Sequence, residues 1–196
     1  MPDILWIIKN KILFKEKYTF RDELEVLRAM KTMHGDIFID IGCNIGIYSR
    51  LMRKRFKRVY SIDPNPKYHA EIQVAISNKL GQAMFFIGNN IGGADSLIHN
   101  PHVQGREWKN DSPIQVETMT FDQLMLDADL VKIDVEGSEF EVIEGMNIHL
   151  PKQVIIELHD ERRENELLAK MAEKGYIHTK LDIHHFLFKL RYREAN

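Results

Sequence analysis

Phe38-Ile-Asp-Ile-Gly-Cys-Asn-Ile-Gly46 is the stretch that decides the fold, and Val131-Lys-Ile-Asp-Val-Glu-Gly137 is its counterpart far downstream. The first is an apolar run that carries Asp40 and breaks at Gly42, the pattern of a buried strand running into a glycine loop and a helix. α/β proteins use that turn to cradle nucleoside-containing ligands. The second is another apolar strand, and it ends in carboxylates. Two such strands lying parallel would build one site, because ligands of open α/β sheets gather at the strands' carboxyl ends.

The surrounding sequence alternates in the same way. Upstream, Thr19 and Asp22 have capping-box spacing and open a helix over roughly 20–33, with Leu24, Leu27 and Met30 at helical spacing. Strands are expected at 37–41, 59–62, 83–87, 114–120, 129–135 and 154–158, and helices at about 46–55, 138–146 and 161–174. Residues 65–80 fit either a helix or a strand. The chain then finishes as a hairpin of 176–181 and 184–190. The result is a mostly parallel sheet covered on both faces, with an antiparallel strand near the end. Residues 88–113, rich in glycine and proline, read as a long loop, either functional or a mobile lid without ligand contact. There Ser96, His99, His102, Arg106 and Trp108 are candidates for gripping a sugar.

Bulk properties bound the rest. A chain of 196 residues, 44% hydrophobic, has room for one domain with a sizeable core. A net charge of −2 gives no global case for nucleic acid. The single cysteine, Cys43, excludes an intramolecular disulfide framework and a cysteine-rich zinc site. No secretory signal is apparent, so the cytoplasm is the expected compartment. The apolar bursts at 4–8 and 12–14 fall short of the ~20 residues a membrane span needs. They are read as part of an N-terminal helical segment, 1–34, packed on a domain of 35–196. Dimerisation through them, or contact of Lys9, Lys11, Lys15 and Lys17 with an anionic membrane or a partner, is the other reading.

In the glycine loop, Gly42 allows a sharp turn and Gly46 a close backbone approach where the next helix begins. The first N–H groups of that helix are expected to be open to a carboxylate or phosphate. Asn44 and Ile47 occupy the second and third positions of the NAD-type Gly-x-Gly-x-x-Gly, which disfavours pyrophosphate. Asp63, at the end of the next strand, can accept both hydroxyls of a ribose. Asp40 can hold the loop or neutralise a ligand's ammonium group.

These segments together resemble the FkbM family of S-adenosylmethionine-dependent methyltransferases, over roughly residues 35–190. The downstream stretch Val131–Glu139 is the more specific part. Ile155-Ile-Glu-Leu-His159 is similar to the family's following strand, and Gly93-Ala-Asp-Ser-Leu97 to its serine-bearing loop. The resemblance implies a Rossmann-like class I methyltransferase fold with a seven-stranded sheet, the third strand at 72–76, and a β insertion around 83–120. It also implies methylation of a hydroxyl on a sugar, glycan or other small acceptor. Asp40, Gly42, Asn44, Gly46 and Asp63 would then bind S-adenosylmethionine.

A hydroxyl acceptor benefits from a base within hydrogen-bond reach. Asp134 and Glu136, two apart on an extended segment, can share a face, and so can Glu157 and His159. His159 is the preferred base, with Glu136 or Asp134 orienting it or the acceptor. Lys132 shares the Asp134 face and is read as an ion-pair partner. A divalent cation held by Asp134, Glu136, Glu157 and His159 is the lesser reading. His184 and His185 are expected to face opposite ways. The basic stretch Arg50, Arg53, Lys54, Arg55, Lys57 and Arg58 is read as a solvated face. Rival readings are an inactive nucleoside-binding module, an oxidoreductase, and a nucleic-acid methyltransferase that uses residues 50–58.

Overall fold

A computed structural model describes residues 20–87, 95–97 and 113–191. The capping residue Thr19, the apolar bursts at 4–14, Gly93, Ala94 and the loop residues His99, His102, Arg106 and Trp108 lie outside that range. Helix α1, Phe20–Met30, leads into β1, Gly35–Ile41; α2, Ile47–Met52, leads into β2, Phe56–Ile62. Three short strands follow: β3, Ala75–Ile76; β4, Gly81–Phe85; and β5, Ile114–Met119. Next come β6, Leu130–Ile133; α3, Glu139–Glu144; β7, Gln153–Glu157; and α4, Glu164–Glu173. The hairpin β8, Tyr176–Lys180, and β9, His185–Leu190, completes the described chain.

The main sheet has the order β2-β1-β6-β7-β9-β8. β2, β1, β6 and β7 run parallel, and β9 is antiparallel to both of its neighbours. Buried parallel strands need apolar residues on both faces, and the register supplies them. On one face Ile39, Ile41, Val131, Ile133, Val154 and Ile156 share a core with Phe140, Ile143, Leu167 and Met171 of α3 and α4. On the other, Phe38, Leu130 and Ile155 share a core with Val26 and Met30 of α1 and Met52 of α2. Following that second face towards the strand ends, the next positions are Asp40, Lys132 and Glu157. Alternation thus turns an apolar face into a charged one within two residues.

Among the described residues the main sheet has six strands instead of the expected seven. After β2 come Asp63, Pro64, Asn65 and Pro66, a single 3-10 turn at Pro66–Tyr68, and then one parallel bridge from Ile72 to Ile62. A parallel crossover takes roughly a dozen residues or more, and this connection is shorter, so the expected third strand shrinks to one residue. Neither a helix nor a strand fills 65–80. Instead β3 turns away into a second sheet, β3-β5-β4, around Ala75, Phe85 and Val116. The expected insertion is therefore a separate small sheet. Ser96 pairs back onto Phe86 through two backbone hydrogen bonds.

Two contacts fix β1 against β6. At the amino end, the Asp129 carboxylate accepts the N–H groups of Asp36 and Ile37 at 2.6 and 2.9 Å and meets Lys152 at 2.6 Å. At the carboxyl end, Gly42 lies so close to the backbone of Asp134 that a Cβ there would sit 1.7 Å from the Asp134 carbonyl oxygen. Its φ of 75° adds a second requirement for glycine.

Gly42→Ala should therefore lower stability by about 3 kcal/mol or more, from backbone strain plus the clash. Gly46→Ala, with φ of 73° but only the Ser49 Cβ at 4.0 Å, should cost about 1–2 kcal/mol. Urea unfolding of the two variants separates the contributions; equal losses would mean that the Asp134 contact carries no weight.

Candidate functional site

The glycine loop is held from within. Gly42 and Cys43 donate their N–H groups to the Ile62 carbonyl, and Gly46 donates to Cys43. Asn44, itself at φ 50°, donates to Asp63 Oδ2 at 2.9 Å, and its side chain accepts the Ile45 N–H at 2.7 Å. Asp40 lies beneath the loop, buried. Its Oδ2 accepts both the N–H and the hydroxyl of Ser49 at 2.9 and 2.6 Å. Of the N–H groups at the helix start, that of Gly46 goes to the Cys43 carbonyl and that of Ser49 to Asp40, while those of the loop residues Asn44 and Ile45 go to Asp63 and to the Asn44 side chain. Asp40 takes the loop-holding role, and burial pushes its carboxyl up, against the pull of Lys132 and Ser49.

Asp63 stands at the end of β2 as the sequence suggested. Its oxygens take one backbone N–H each, from Asn44 and Asn65. Burial outweighs those two bonds and pushes its pKa up to about 6. Each carboxylate oxygen has a second acceptor site, so the group fits a ligand that presents paired hydroxyl donors. Asn65, buried beside it, donates to Asp95 at 2.6 Å.

The second half of the site is a charged cluster at the ends of β6 and β7. Lys132 is 1% exposed, and its Nζ meets Asp134 Oδ2 at 2.7 Å above the ring of Tyr48. Burial alone would depress this ammonium. The carboxylates of Asp134, Glu157 and Asp40 outweigh it and hold the group above the ordinary lysine value. The expected ion pair is present.

His159, with its side chain 12% exposed, sits among four carboxylates. Nδ1 meets Glu139 Oε1 at 2.7 Å and Nε2 meets Glu136 Oε2 at 3.0 Å. Asp134 Oδ1 and Glu157 Oε1 are each 3.9 Å from Nε2. Burial would lower the ring's pKa, but Glu136 and Glu139 raise it well above the ordinary value. The surroundings thus favour the charged ring. Glu136, on Nε2, stands beside His159 as a second group able to accept a proton.

Glu136 reaches His159 from a left-handed backbone, φ 57°. That conformation costs a non-glycine residue on the order of 1–3 kcal/mol, and such strain clusters at functional sites. The Ser96 hydroxyl, donating to the Glu136 carbonyl at 2.8 Å, ties the insertion to this residue. Behind Glu157, His185 is buried, with Nε2 3.1 Å from Glu157 Oε2 and Nδ1 2.8 Å from Asp182. Burial draws this ring down too, and Glu157 outweighs it, leaving its pKa raised. His184, in contrast, is partly exposed beside Glu161. The six basic residues between 50 and 58 are all exposed, and Lys57 pairs with Asp36 at 2.8 Å.

The structure thus gathers Asp134, Glu136 and His159 with Glu157, and sets Asp40, Gly42, Asn44, Gly46 and Asp63 around one loop. Sequence reasoning missed Glu139, Asn65 and the His185–Asp182 pair. Glu139 carried a signal in its place within the Asp-Val-Glu-Gly-Ser-Glu run. Asn65 and Asp182 lie outside every motif that the sequence singles out.

A family model described as the methyltransferase FkbM domain matches residues 40–187. No curated protein matches the chain. Solved structures of similar shape include a chain of the E. cuniculi Mtq2–Trm112 complex, responsible for methylation of the eRF1 translation termination factor. It is 12% identical, with 89% of this chain and 98% of that chain covered and a TM-score of 0.48. A precorrin-6y C5,15-methyltransferase from Geobacter metallireducens is 15% identical, with coverages of 84% and 76% and a TM-score of 0.45.

Removing Lys132 should strand the carboxylates that it balances. Lys132→Met is expected to cost about 3–5 kcal/mol, because one charge of a buried pair is left uncompensated. Adding Asp134→Asn should recover a large part of that loss. Urea midpoints for the two singles and the double test the coupling, and simple additivity would refute it.

Proposed function

The chain belongs to the FkbM methyltransferase domain family, and from that premise we propose that it methylates a hydroxyl of a sugar, glycan or other small hydroxylated acceptor. Family membership implies S-adenosylmethionine as donor, whose sulfonium supplies an already activated methyl group. Asp63 would hold the donor's ribose, over a loop shaped by Gly42, Asn44 and Gly46 and braced from below by Asp40. The observation that carries the hydroxyl reading is the cluster at the strand ends. An alcohol must lose a proton as its oxygen is methylated, and here four carboxylates surround one imidazole ring.

The proton-accepting atoms in this reading are carboxylate oxygens. His159 donates to Glu139 through Nδ1 and faces Glu136 through Nε2. It orients Glu136, and Glu136 or the neighbouring Asp134 takes the acceptor's proton. Lys132 holds Asp134 Oδ2 at 2.7 Å and fixes that carboxylate in place. The fixed dipoles and charges of this wall take the place of water around the reacting oxygen. An amine acceptor gains less from such a cluster, and the Asn/Asp-Pro-Pro-aromatic signature of amino methylation is absent from the sequence.

Two outcomes test this reading. Titration with S-adenosylhomocysteine should show saturable binding that Asp63→Ala weakens strongly. Binding should also fall as pH drops through about 6, because the protonated Asp63 carboxyl loses an acceptor oxygen. Folded protein that fails to bind would refute the cofactor pocket. With an acceptor in hand, Glu136→Gln should lower kcat by roughly 10²–10⁴-fold while leaving S-adenosylhomocysteine affinity near that of the wild type.

A further inference from the structure

We infer that Asp134, Glu157 and His159 form a binding site for one divalent cation of the manganese type. One ligand atom from each of the three residues falls within 4.8 Å of the others. His159 Nε2 is equidistant, at 3.9 Å, from Asp134 Oδ1 and Glu157 Oε1. Those separations are too long for hydrogen bonds. They span a space into which an ion can draw three ligands by small side-chain movements.

The atoms facing away from that centre are already engaged. Asp134 Oδ2 is on Lys132 Nζ at 2.7 Å, and His159 Nδ1 is on Glu139 Oε1 at 2.7 Å. Metal-binding imidazoles almost always have such a carboxylate or carbonyl partner on the second nitrogen, which fixes the ring with its other nitrogen towards the ion. Glu157 Oε2 faces His185, whose other nitrogen is on Asp182. His185 Nε2, buried, pairs with that oxygen at 3.1 Å. Each of the three ligands thus has one atom held from behind, by Lys132, Glu139 or His185, and offers another to the same space.

Two carboxylates and one imidazole suit manganese better than the all-oxygen preference of magnesium or calcium. The cation takes the place of the Nε2 proton and leaves Glu136 beside it as proton acceptor. Its role in chemistry rests on the hydroxyl-methylation reading above: it acts as a Lewis acid on the acceptor oxygen, making its proton easier to remove. The binding claim itself stands on the ligand geometry.

The test is a titration of the metal-stripped full chain with Mn²⁺, following loss of the free-ion electron paramagnetic resonance signal. S-adenosylhomocysteine binding is measured on the same sample. We expect one Mn²⁺ per chain and nitrogen modulation from one imidazole in the spin-echo spectrum of the bound ion. Asp134→Asn and Glu157→Gln should each weaken binding strongly, and Glu139→Gln, the partner behind His159, by about tenfold or more. The imidazole signal needs no substitution, so the test holds even where a variant fails to fold. S-adenosylhomocysteine binding with no saturable Mn²⁺ binding would overturn the metal site and leave methyl transfer standing. Mn²⁺ binding without the sulfur nucleoside would support the site and overturn the cofactor reading. Mn²⁺ bound without imidazole modulation, or bound equally by folded Asp134→Asn and Glu157→Gln, would also overturn the site.

Discussion

A buried ammonium group makes the rest of this site possible. Lys132 lies in a central strand, opposite Asp40 in the register of β1, and its field reaches Asp134 on its own segment and Glu157 on β7. Carboxylates from three neighbouring strands cannot end close together in a low-dielectric interior without a counter-charge. The lysine supplies that counter-charge, and the carboxylates in turn hold its ammonium above the ordinary lysine value. His159 and His185 extend the same logic outwards, so the strand ends form one alternating array of charges instead of a set of separate pairs. Arrays of this kind confer little stability on their own; they fix the positions of charged groups.

The strands and the glycine loop were legible because they obey local rules. Apolar runs such as 37–41 and 129–133 have no use except in a sheet covered on both faces, and Gly42 followed by Gly46 marks the turn. The charged face was legible too, since Lys132 and Asp134 are two apart on one strand. The shrinking of the third strand to one bridge was not, because it follows from a connection too short to cross over, with Pro64 and Pro66 stiffening it. The state of His159 was equally hidden. It depends on Glu139 from the start of α3 and on Glu136 from a left-handed turn, and neither convergence is encoded in spacing. The same holds for the loop N–H groups: local sequence leaves them open, and tertiary partners such as Asp63 and Asp40 close them.

The small second sheet joins the two halves of the site. Its β4 side continues to Phe86, which pairs with Ser96, and Ser96 grips the strained Glu136. One residue earlier, Asp95 accepts from Asn65, which itself donates its N–H to Asp63. Two adjacent residues, Asp95 and Ser96, therefore tie the neighbourhood of the carboxylate at the end of β2 to the turn that carries Glu136. Displacement of that segment would be felt at the nucleoside side and the acceptor side together.

Asp129, the staple at the amino end of the sheet, reaches Ile37 across 92 residues. β1 can pair early with β2, but its other neighbour is made only after the whole second sheet has emerged. On the ribosome, the first half of the chain therefore waits with one edge of β1 unpaired, and the acidic turn at 134–139 has nothing to close against until then. Non-local pairing of this kind makes folding slow and leaves apolar strands exposed meanwhile. The molecule's chemistry and its vulnerability during synthesis have the same origin in the β1–β6 seam.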